Sequence, residues 1–372
     1  MNWFLIICVI FSITLFCITK FTLTNHKLRN QRINEQIEAF EEEKNRTTSE
    51  KLKIEHNITI NYLDINTAKE LMKKNGEYIQ NMNQANLSAR NCISIDELYE
   101  KYLKGFKEIT SSEKETIDKF LLDLLNDIKR FNMSYYRYMC KWLNEISIAK
   151  AQSWLEAGMP HTLEKTIVMD ENWFITPRKT TLVHELIHIH QREIGFDFED
   201  LYKELGYYYN PEYIKGMEDI YPLNRNNPDG LSKYWLWKMP KVSNSNSNSA
   251  SLNSLDTINF SNINNYWWIG AIFKTITPNS LTDVNLVALK LDRDSDGNFY
   301  YLKQHPTLIN NWKPFIAFFG NNPNNYHPNE MTAKFAEFYL TDILNDKNRE
   351  FDNYEGYKIY KKYFENMINK YY

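Results

Sequence analysis

Two histidines and a glutamate in the stretch His184-Glu185-Leu186-Ile187-His188 have the types and spacing needed to activate water on a metal ion. Residues four apart lie on the same face of an α-helix, so both imidazoles can bind one ion. Glu185 lies about 100° around the helix from His184, where its carboxylate can take a proton from metal-bound water. This set predicts a zinc ion and metal-assisted hydrolysis.

Apolar residues surround these polar side chains, and this favours a helix that lies in a protein core. The apolar positions are Leu182, Val183, Leu186, Ile187 and Ile189. A core helix that carries two histidines and a glutamate by chance is the competing interpretation, but burying three unpaired polar groups costs free energy. His190 lies six residues after His184, so we expect it beside the site or at the surface and not on the ion.

A catalytic zinc ion binds three protein ligands and keeps one position open, so a third ligand must come from elsewhere in the chain. The strongest candidate is Glu330 in the segment 326–340, where Pro328 suits the first turn of a helix and two alanines allow close packing. Glu337 lies two turns further along the same helix face and is an alternative ligand. The remaining alternatives are His161, His305 and His327.

The two helices together resemble the zinc site of the gluzincin metallopeptidases, in which a second helix adds a glutamate to His-Glu-x-x-His. The segment 329–333 is similar to their Asn-Glu-x-x-(Ser/Ala) motif. The resemblance implies zinc held by His184, His188 and Glu330, with Glu185 as the general base. It also implies a sheet next to the zinc helix, whose edge binds an extended peptide by strand addition.

The resemblance covers two short helices, and the chain departs from the family pattern in two ways. The separation of 142 residues between His188 and Glu330 is long, and Lys334 stands where many members have an acid that orients a histidine. The family also supplies a Tyr, His or Arg that binds the developing oxyanion. Tyr326 and His327 directly precede the ligand helix and are the candidates here, although a structural role for each is the competing interpretation.

Two polar loops have both a functional and a structural interpretation. Arg225 in the loop 224–230 is a cation that could hold a substrate carboxylate, but the loop composition favours a solvated turn. The segment 292–297 matches the first half of a calcium-binding EF-hand loop, but Lys303 takes the place of the glutamate at the twelfth position. Because the flanking residues alternate as strands do, we predict a hairpin turn there, with calcium binding as the alternative.

Length and composition restrict the class of protein. The 372 residues are 43% hydrophobic and carry a net charge of −3, so a sizeable core is available and nucleic acid is not an expected partner. Four cysteines, two of them in the apolar N-terminus, exclude a disulfide framework. The 44 asparagines and 25 tyrosines are typical of an AT-rich genome, such as that of a large DNA virus or a protist.

The N-terminal residues 1–23 are almost entirely apolar and long enough to cross a membrane, which predicts a single-pass transmembrane signal anchor rather than a cleaved signal peptide. A charged, solvated stalk is expected over 24–56. Basic residues after the anchor favour a cytoplasmic location for the rest of the chain. Five N-glycosylation sequons favour the opposite side of the membrane and a glycoprotein. Their asparagines are Asn45, Asn57, Asn86, Asn132 and Asn259.

The rest of the chain is predicted to form a helical subdomain over 57–150 and a catalytic domain over 151–372, with a flexible Ser/Asn-rich insertion at 243–254. The predicted fold class is α+β, mostly helical, and the resemblance implies a small zincin-like sheet packed on the zinc helix. Further helices are predicted at 67–90, 96–106, 112–131, 134–157, 197–205, 328–346 and 354–370. Strands are predicted at 166–169, 266–275, 284–291 and 298–302.

Together these features predict a membrane-anchored, zinc-dependent metallopeptidase that hydrolyses peptide or protein substrates. The alternative is a virion- or membrane-surface interaction protein with a structural or degenerate zinc site. An open position on the ion next to Glu185 would favour the enzyme, whereas a fourth protein ligand would favour the structural site.

Overall fold

The computed structural model describes most of the chain after residue 45. The described residues are 29, 31–33, 35–37, 46–74, 76–193, 195–230, 235–240, 266–321, 326–345 and 350–371. The predicted anchor at 1–23 and the predicted insertion at 243–254 lie outside the described residues. Within the described part of the chain, no helix is both long enough and apolar enough to cross a membrane.

The chain divides into two compact units, residues 1–51 and residues 52–372. The helices are α1 (Thr48–His56), α2 (Ile65–Lys74), α3 (Gly76–Gln80), α4 (Gln84–Ala89), α5 (Ile95–Gly105), α6 (Ser111–Phe131), α7 (Met133–Trp142), α8 (Lys179–Glu193), α9 (Phe196–Glu204), α10 (Lys313–Phe319), α11 (Pro328–Asn345) and α12 (Glu355–Tyr371). The strands are β1 (Thr59–Tyr62), β2 (Phe106–Lys107), β3 (Glu145–Ala151), β4 (His161–Leu163), β5 (Thr166–Asp170), β6 (Tyr207–Tyr209), β7 (Trp235–Trp237), β8 (Tyr266–Phe273), β9 (Val284–Arg293), β10 (Phe299–Tyr301) and β11 (Thr307–Leu308). Among the described residues, helix predominates over strand, which confirms the predicted α+β class.

The first sheet is mixed and has the strand order β1–β3–β5–β4. Strands β1, β3 and β5 run parallel, β4 is antiparallel at one edge, and the short β2 pairs with the far end of β3. The inner strands carry the fully buried Ile146, Ile148, Ile167 and Met169, as expected for parallel strands covered on both faces. Helix α8 packs next to β4 and β5, so the edge strand lies beside the histidine helix.

The second sheet is antiparallel, with the order β10–β9–β8–β7–β6 and β11 paired to β9. Strand β8 is buried along nearly its whole length. Strands β9 and β10 form the hairpin predicted at 292–297, and Gly297 supplies the positive φ of 88° that its turn requires. The hairpin prediction is therefore confirmed.

Helices α8 and α11 pack closely against each other in the core. Every residue of α8 from Leu182 to Gln191 is buried. On α11, Ala333 and Ala336 are fully buried, and these small side chains let the two helix backbones approach. The polar residues of both helices are enclosed by this contact.

Two predicted helices were wrong in extent. The helix predicted at 67–90 is three shorter helices, α2 to α4. Asp64 accepts the N–H of Thr67 at 2.7 Å at the start of α2, and Asn83 begins α4 by accepting the N–H of Asn86 at 2.9 Å. The helix predicted at 134–157 ends at Trp142, and the chain continues as the buried strand β3.

The packed core reaches further toward the N-terminus than the predicted stalk allows. Leu52 and His56 are buried, and His56 Nδ1 lies 2.9 Å from the Tyr136 hydroxyl. One hydrophobic core contains residues from both predicted subdomains, for example Leu121 and Phe335. The predicted regions 57–150 and 151–372 therefore share a core in one compact unit.

Candidate metal centre

Helix α8 presents two histidine rings on the face that packs against α11. His184 and His188 lie one turn apart, and their ring centroids are separated by 4.8 Å. Both residues are buried. The four-residue spacing in the sequence predicts this shared face, and the structure has it.

Glu330, in the first turn of α11, lies between the two histidines. Its Oε2 is 3.3 Å from His184 Nε2, and its Oε1 is 3.7 Å from His188 Nε2. The same carboxylate accepts a hydrogen bond of 2.6 Å from the Asn227 amide. The structure therefore brings the predicted third ligand to both histidines across 142 residues of sequence.

The arrangement fits a metal ion. Ligand atoms of His184, His188 and Glu330 all lie within 4.8 Å of one another. Nitrogen and oxygen ligands at about 2.0–2.2 Å from one tetrahedral ion lie roughly 3.5 Å apart, so small movements would bring the three onto one ion. His188 Nε2 is buried and has no hydrogen-bond partner among the described residues, which a bound cation would supply.

The outer nitrogen of each ring is held by a separate side chain. His184 Nδ1 lies 2.8 Å from Glu337 Oε1, and Lys334 Nζ donates to the other oxygen of Glu337 at 2.8 Å. His188 Nδ1 lies 2.9 Å from Oε1 of the Gln191 side chain. A partner on Nδ1 fixes the ring and leaves Nε2 for a metal.

This geometry gives Glu337 a position different from that of a ligand. It contacts the nitrogen of His184 that faces away from Glu330. Lys334, four residues after Glu330, donates to Glu337, and Glu337 supplies a carboxylate to the outer nitrogen of the histidine. Gln191 is held in turn, because its amide donates to the Asn329 carbonyl and the Thr332 hydroxyl at 2.9 and 2.8 Å.

Glu185 lies next to the three ligands with part of its carboxyl unsatisfied. It is 3% exposed, and its Oε2 has no hydrogen-bond partner among the described residues. Ligand atoms of Glu185, His188 and Asp229 lie within 4.8 Å of one another. Burial raises the pKa of Glu185 well above its usual range, and the nearby Asp229 carboxylate adds to the effect.

Charges within the site shift the pKa values of the ligands in opposite directions. Burial alone would lower the pKa of His184, but hydrogen bonds with Glu330 and Glu337 outweigh it and raise this pKa. Burial lowers the pKa of His188. Burial opposes ionisation of Glu330, yet the hydrogen bond with His184 and the charges of both histidines hold the pKa of this carboxyl well below its usual range.

A loop over residues 224–230 covers the ligands from the side, and sequence reasoning did not assign roles to its Asn227 and Asp229. Asp229 accepts hydrogen bonds from the backbone N–H and the hydroxyl of Thr162 at 2.8 and 2.6 Å. Arg192 donates to the Thr162 carbonyl and lies 3.6 Å from Asp229. No periodic pattern marks such a loop, so only its Asp-Gly and Asn-Pro pairs indicate a turn.

These contacts change the expectation for the sheet edge. Thr162 lies on β4, the edge strand beside the histidine helix. Its N–H and C=O are both occupied, by Asp229 and Arg192. The edge is therefore not open at Thr162 for strand addition by an extended peptide.

Asparagines from the chain before and within α4 hold the same loop in place. Asn86 donates to the Asn224 carbonyl at 2.8 Å and accepts the Asn226 N–H at 2.9 Å. Asn83 donates to the Asn224 carbonyl at 3.1 Å, and the Asn226 side chain donates to the Asn81 carbonyl at 2.7 Å. The early helices thus position a loop of the site without supplying a ligand.

Two of the three candidate ligands, His184 and Glu330, line a cavity of about 340 Å³. Its lining includes His184, Glu185, Arg225, Asp229, Tyr326 and Glu330. This volume is at the lower end of the range for ligand pockets. His184 and Glu330 are thus accessible from the side of this cavity.

Tyr326 belongs to this cavity, whereas His327 does not line it. The Tyr326 hydroxyl accepts hydrogen bonds from Arg225 at 2.7 Å and from Asn227 at 2.9 Å. Burial raises the pKa of Tyr326 to about 12, so its hydroxyl keeps its proton. His327 lines a different cavity, and its Nδ1 accepts the N–H of Asn329 at 3.1 Å.

The other histidines are separate from the three ligands. His161 lines the cavity with Nδ1 3.1 Å from the Met159 carbonyl, and His305 is exposed. Among the described residues, neither belongs to a group of converging ligand atoms. His190 is buried and stacked on Trp142 at 4.3 Å between ring centroids, so the expectation of a surface position was wrong.

Comparison of the chain with protein families, with characterised proteins and with solved structures finds no match. The geometry of the site is therefore the basis for assigning a function.

Replacing Glu185 by glutamine should change stability in a pH-dependent way. Because folding raises the pKa of Glu185, the stability that its protonated carboxyl contributes is complete below its ordinary pKa of about 4.5. That stability is lost as pH rises toward the higher pKa of the folded state. In chelator-treated protein, Glu185→Gln should increase the free energy of unfolding at pH 7.5 by about 1 kcal/mol or more, with little gain at pH 4. Urea unfolding at both pH values measures this, and an equal difference at both would contradict it.

Replacing Glu337 by glutamine should weaken metal binding without removing a ligand. Loss of the charge that holds His184 Nδ1 should lower the affinity for zinc by roughly 10–100-fold. Competition with a chromogenic chelator measures the affinity. Glu355→Gln on the surface, next to Lys358, is the matched control and should bind zinc as the wild type does. Complete loss of zinc in Glu337→Gln would instead favour Glu337 as a ligand.

Proposed function

We propose that this chain is a zinc-dependent metallopeptidase of the gluzincin type, tethered to a membrane by residues 1–23. The observation that carries the proposal is the position of Glu330, within 3.3 and 3.7 Å of the inner nitrogens of His184 and His188. Their outer nitrogens are held by Glu337 and Gln191. Two nitrogens and a carboxylate beside a cavity are the ligand set of catalytic zinc sites.

His184, His188 and Glu330 would hold the ion. Zinc in this position would acidify a bound water and polarise the substrate carbonyl. Glu185 would take a proton from the water as its oxygen adds to the carbonyl carbon, and would pass that proton to the amine nitrogen as the C–N bond breaks.

Tyr326 is suited to stabilise charge on the carbonyl oxygen. Its oxygen accepts from two N–H donors, Arg225 and Asn227, so its own proton is available for donation. A donor already in place costs no reorganisation when the charge develops. His327 lines a different cavity, and we assign it no catalytic role.

The alternative is a surface interaction protein with a structural zinc site, which would need a fourth protein ligand. Asp229 is the nearest candidate, but its ligand atom groups with Glu185 and His188 and not with all three ligands. Two of the three ligands, His184 and Glu330, also line a cavity. Both observations favour the enzyme.

Zinc content and hydrolysis should separate when different residues of the site are changed. Full-length protein should bind about one zinc ion, and His188→Ala and Glu330→Ala should each lose it, because two ligands hold zinc weakly. Glu185→Gln should keep the zinc but lose activity by roughly 10²–10⁴-fold, since it removes only the base. Elemental analysis and mass spectrometry of a peptide library measure the two properties.

Two results would contradict the proposal. Full zinc content in Glu330→Ala would show that the ligand assignment is wrong. Cleavage by Glu185→Gln at the wild-type rate would exclude the mechanism. A wild-type protein that holds zinc and cleaves no peptide of the library would favour the interaction protein.

A further inference from the structure

Arg225 is a cation inside the cavity and not the solvated turn residue that the loop composition favours. It is only partly exposed and lines the same cavity as the ligands. Its backbone N–H donates to the Ala271 carbonyl of β8 at 2.9 Å, which ties this part of the loop to the second sheet. The guanidinium lies 5.2 Å from the centre of the Tyr326 ring and donates to the hydroxyl of that tyrosine at 2.7 Å.

Within the described part of the chain, the Arg225 guanidinium donates hydrogen bonds only to neutral groups. Besides the Tyr326 hydroxyl, its hydrogen-bond partner is the Leu281 carbonyl at 3.4 Å, and among the described residues no carboxylate forms an ion pair with it. A guanidinium has five N–H donors, so several remain for a ligand. A charge removed from water is stabilised by a charged partner, and a planar guanidinium binds a carboxylate through two parallel hydrogen bonds.

Three of the five acidic residues that line the cavity are held by partners other than Arg225. Glu156 forms a buried ion pair with Arg90 at 2.8 Å. Asp229 is held by Thr162, and Glu337 by His184 and Lys334. None of these three carboxylates pairs with Arg225, so the remaining N–H groups of its guanidinium can bind an anionic ligand.

The distance between Arg225 and Glu330 determines how far from the scissile bond a substrate carboxylate can lie. Three hydrogen bonds of 2.7, 2.9 and 2.6 Å link its guanidinium to Tyr326, then to Asn227, then to Glu330. An extended peptide spans about 3.5 Å per residue. A carboxylate one or two residues beyond the bond being cleaved would reach Arg225.

Resting on the peptidase function above, we infer that Arg225 binds a substrate carboxylate one or two residues to the C-terminal side of the scissile bond. The small cavity and the occupied edge at Thr162 favour a short terminal segment over a long extended peptide. The carboxylate is the C-terminus in a carboxypeptidase or dipeptidyl-carboxypeptidase. An aspartate or glutamate side chain at the same position presents the same group.

A binding experiment tests this without requiring turnover. Zinc-loaded, full-length Glu185→Gln protein is titrated with N-acetylated dipeptides that have a free or an amidated C-terminus, and with amidated dipeptides that end in glutamate. The free acids should bind roughly 10–100-fold more tightly than the amides, as hydrogen bonds to charged groups are worth about 1.5–3 kcal/mol. Tight binding of the glutamate amide would identify a side-chain carboxylate as the source.

Variants at Arg225 show whether this residue causes the preference. Arg225→Gln in the Glu185→Gln background should bind acid and amide equally, and Arg225→Lys should keep part of the preference because it keeps the charge. Arg178→Gln removes an exposed cation from the same cavity and should leave the preference unchanged. If Arg225→Gln unfolds, as judged by circular dichroism, Arg225→Lys is compared with the Glu185→Gln parent. An undiminished preference for the free acid in the lysine variant would then overturn the Arg225 subsite.

The outcomes separate this inference from the peptidase function. Equal binding of acids and amides by the parent protein, or a preference that persists in Arg225→Gln, would overturn the Arg225 subsite. Zinc binding and hydrolysis could still be intact in that case. A preference that depends on Arg225, together with a zinc-loaded wild-type protein that hydrolyses no peptide, would support the subsite and contradict the peptidase.

Discussion

The carboxylate of Glu330 between two buried histidine rings is the interaction on which the rest of the structure depends. A buried charge needs opposite charges and hydrogen-bond donors around it, and here His184, His188 and Asn227 supply them. Those groups come from α8 and from a distant loop, so both must be held against α11. Small alanines on α11 allow the helices to approach closely enough for the contact.

The parts of the chain that supply no ligand still contribute to the site by holding the loop 224–230. Asn86 binds this loop from α4, and Thr162 binds it from the edge strand through Asp229. The loop in turn donates to Glu330 through Asn227. A contact made in the first third of the chain is thereby linked to a carboxylate near its end.

Periodic and short-range signals could be read from the sequence, whereas contacts made by loops could not. The spacing of His184 and His188 fixes a shared helix face, and the proline before Glu330 predicts the start of the second helix. The role of Glu337 depends on the rotation of α11 against α8, which no local pattern determines. Asp229 and Asn227 reach the site only because the loop is held by partners far away in sequence. The helix predicted at 67–90 was too long because the capping side chain of Asn83 begins a new helix within that range.

Asn86 is both a glycosylation sequon and a fully buried residue whose amide donates to the Asn224 carbonyl. A glycan is attached through that same amide nitrogen and is too bulky for a buried site. A sugar on Asn86 and the native position of the loop 224–230 therefore exclude each other. Modification before folding would prevent Asn86 from holding this loop. The loop could then not place Asn227 against Glu330. In a compartment that glycosylates nascent chains, the yield of native protein would depend on whether Asn86 is buried before it is modified.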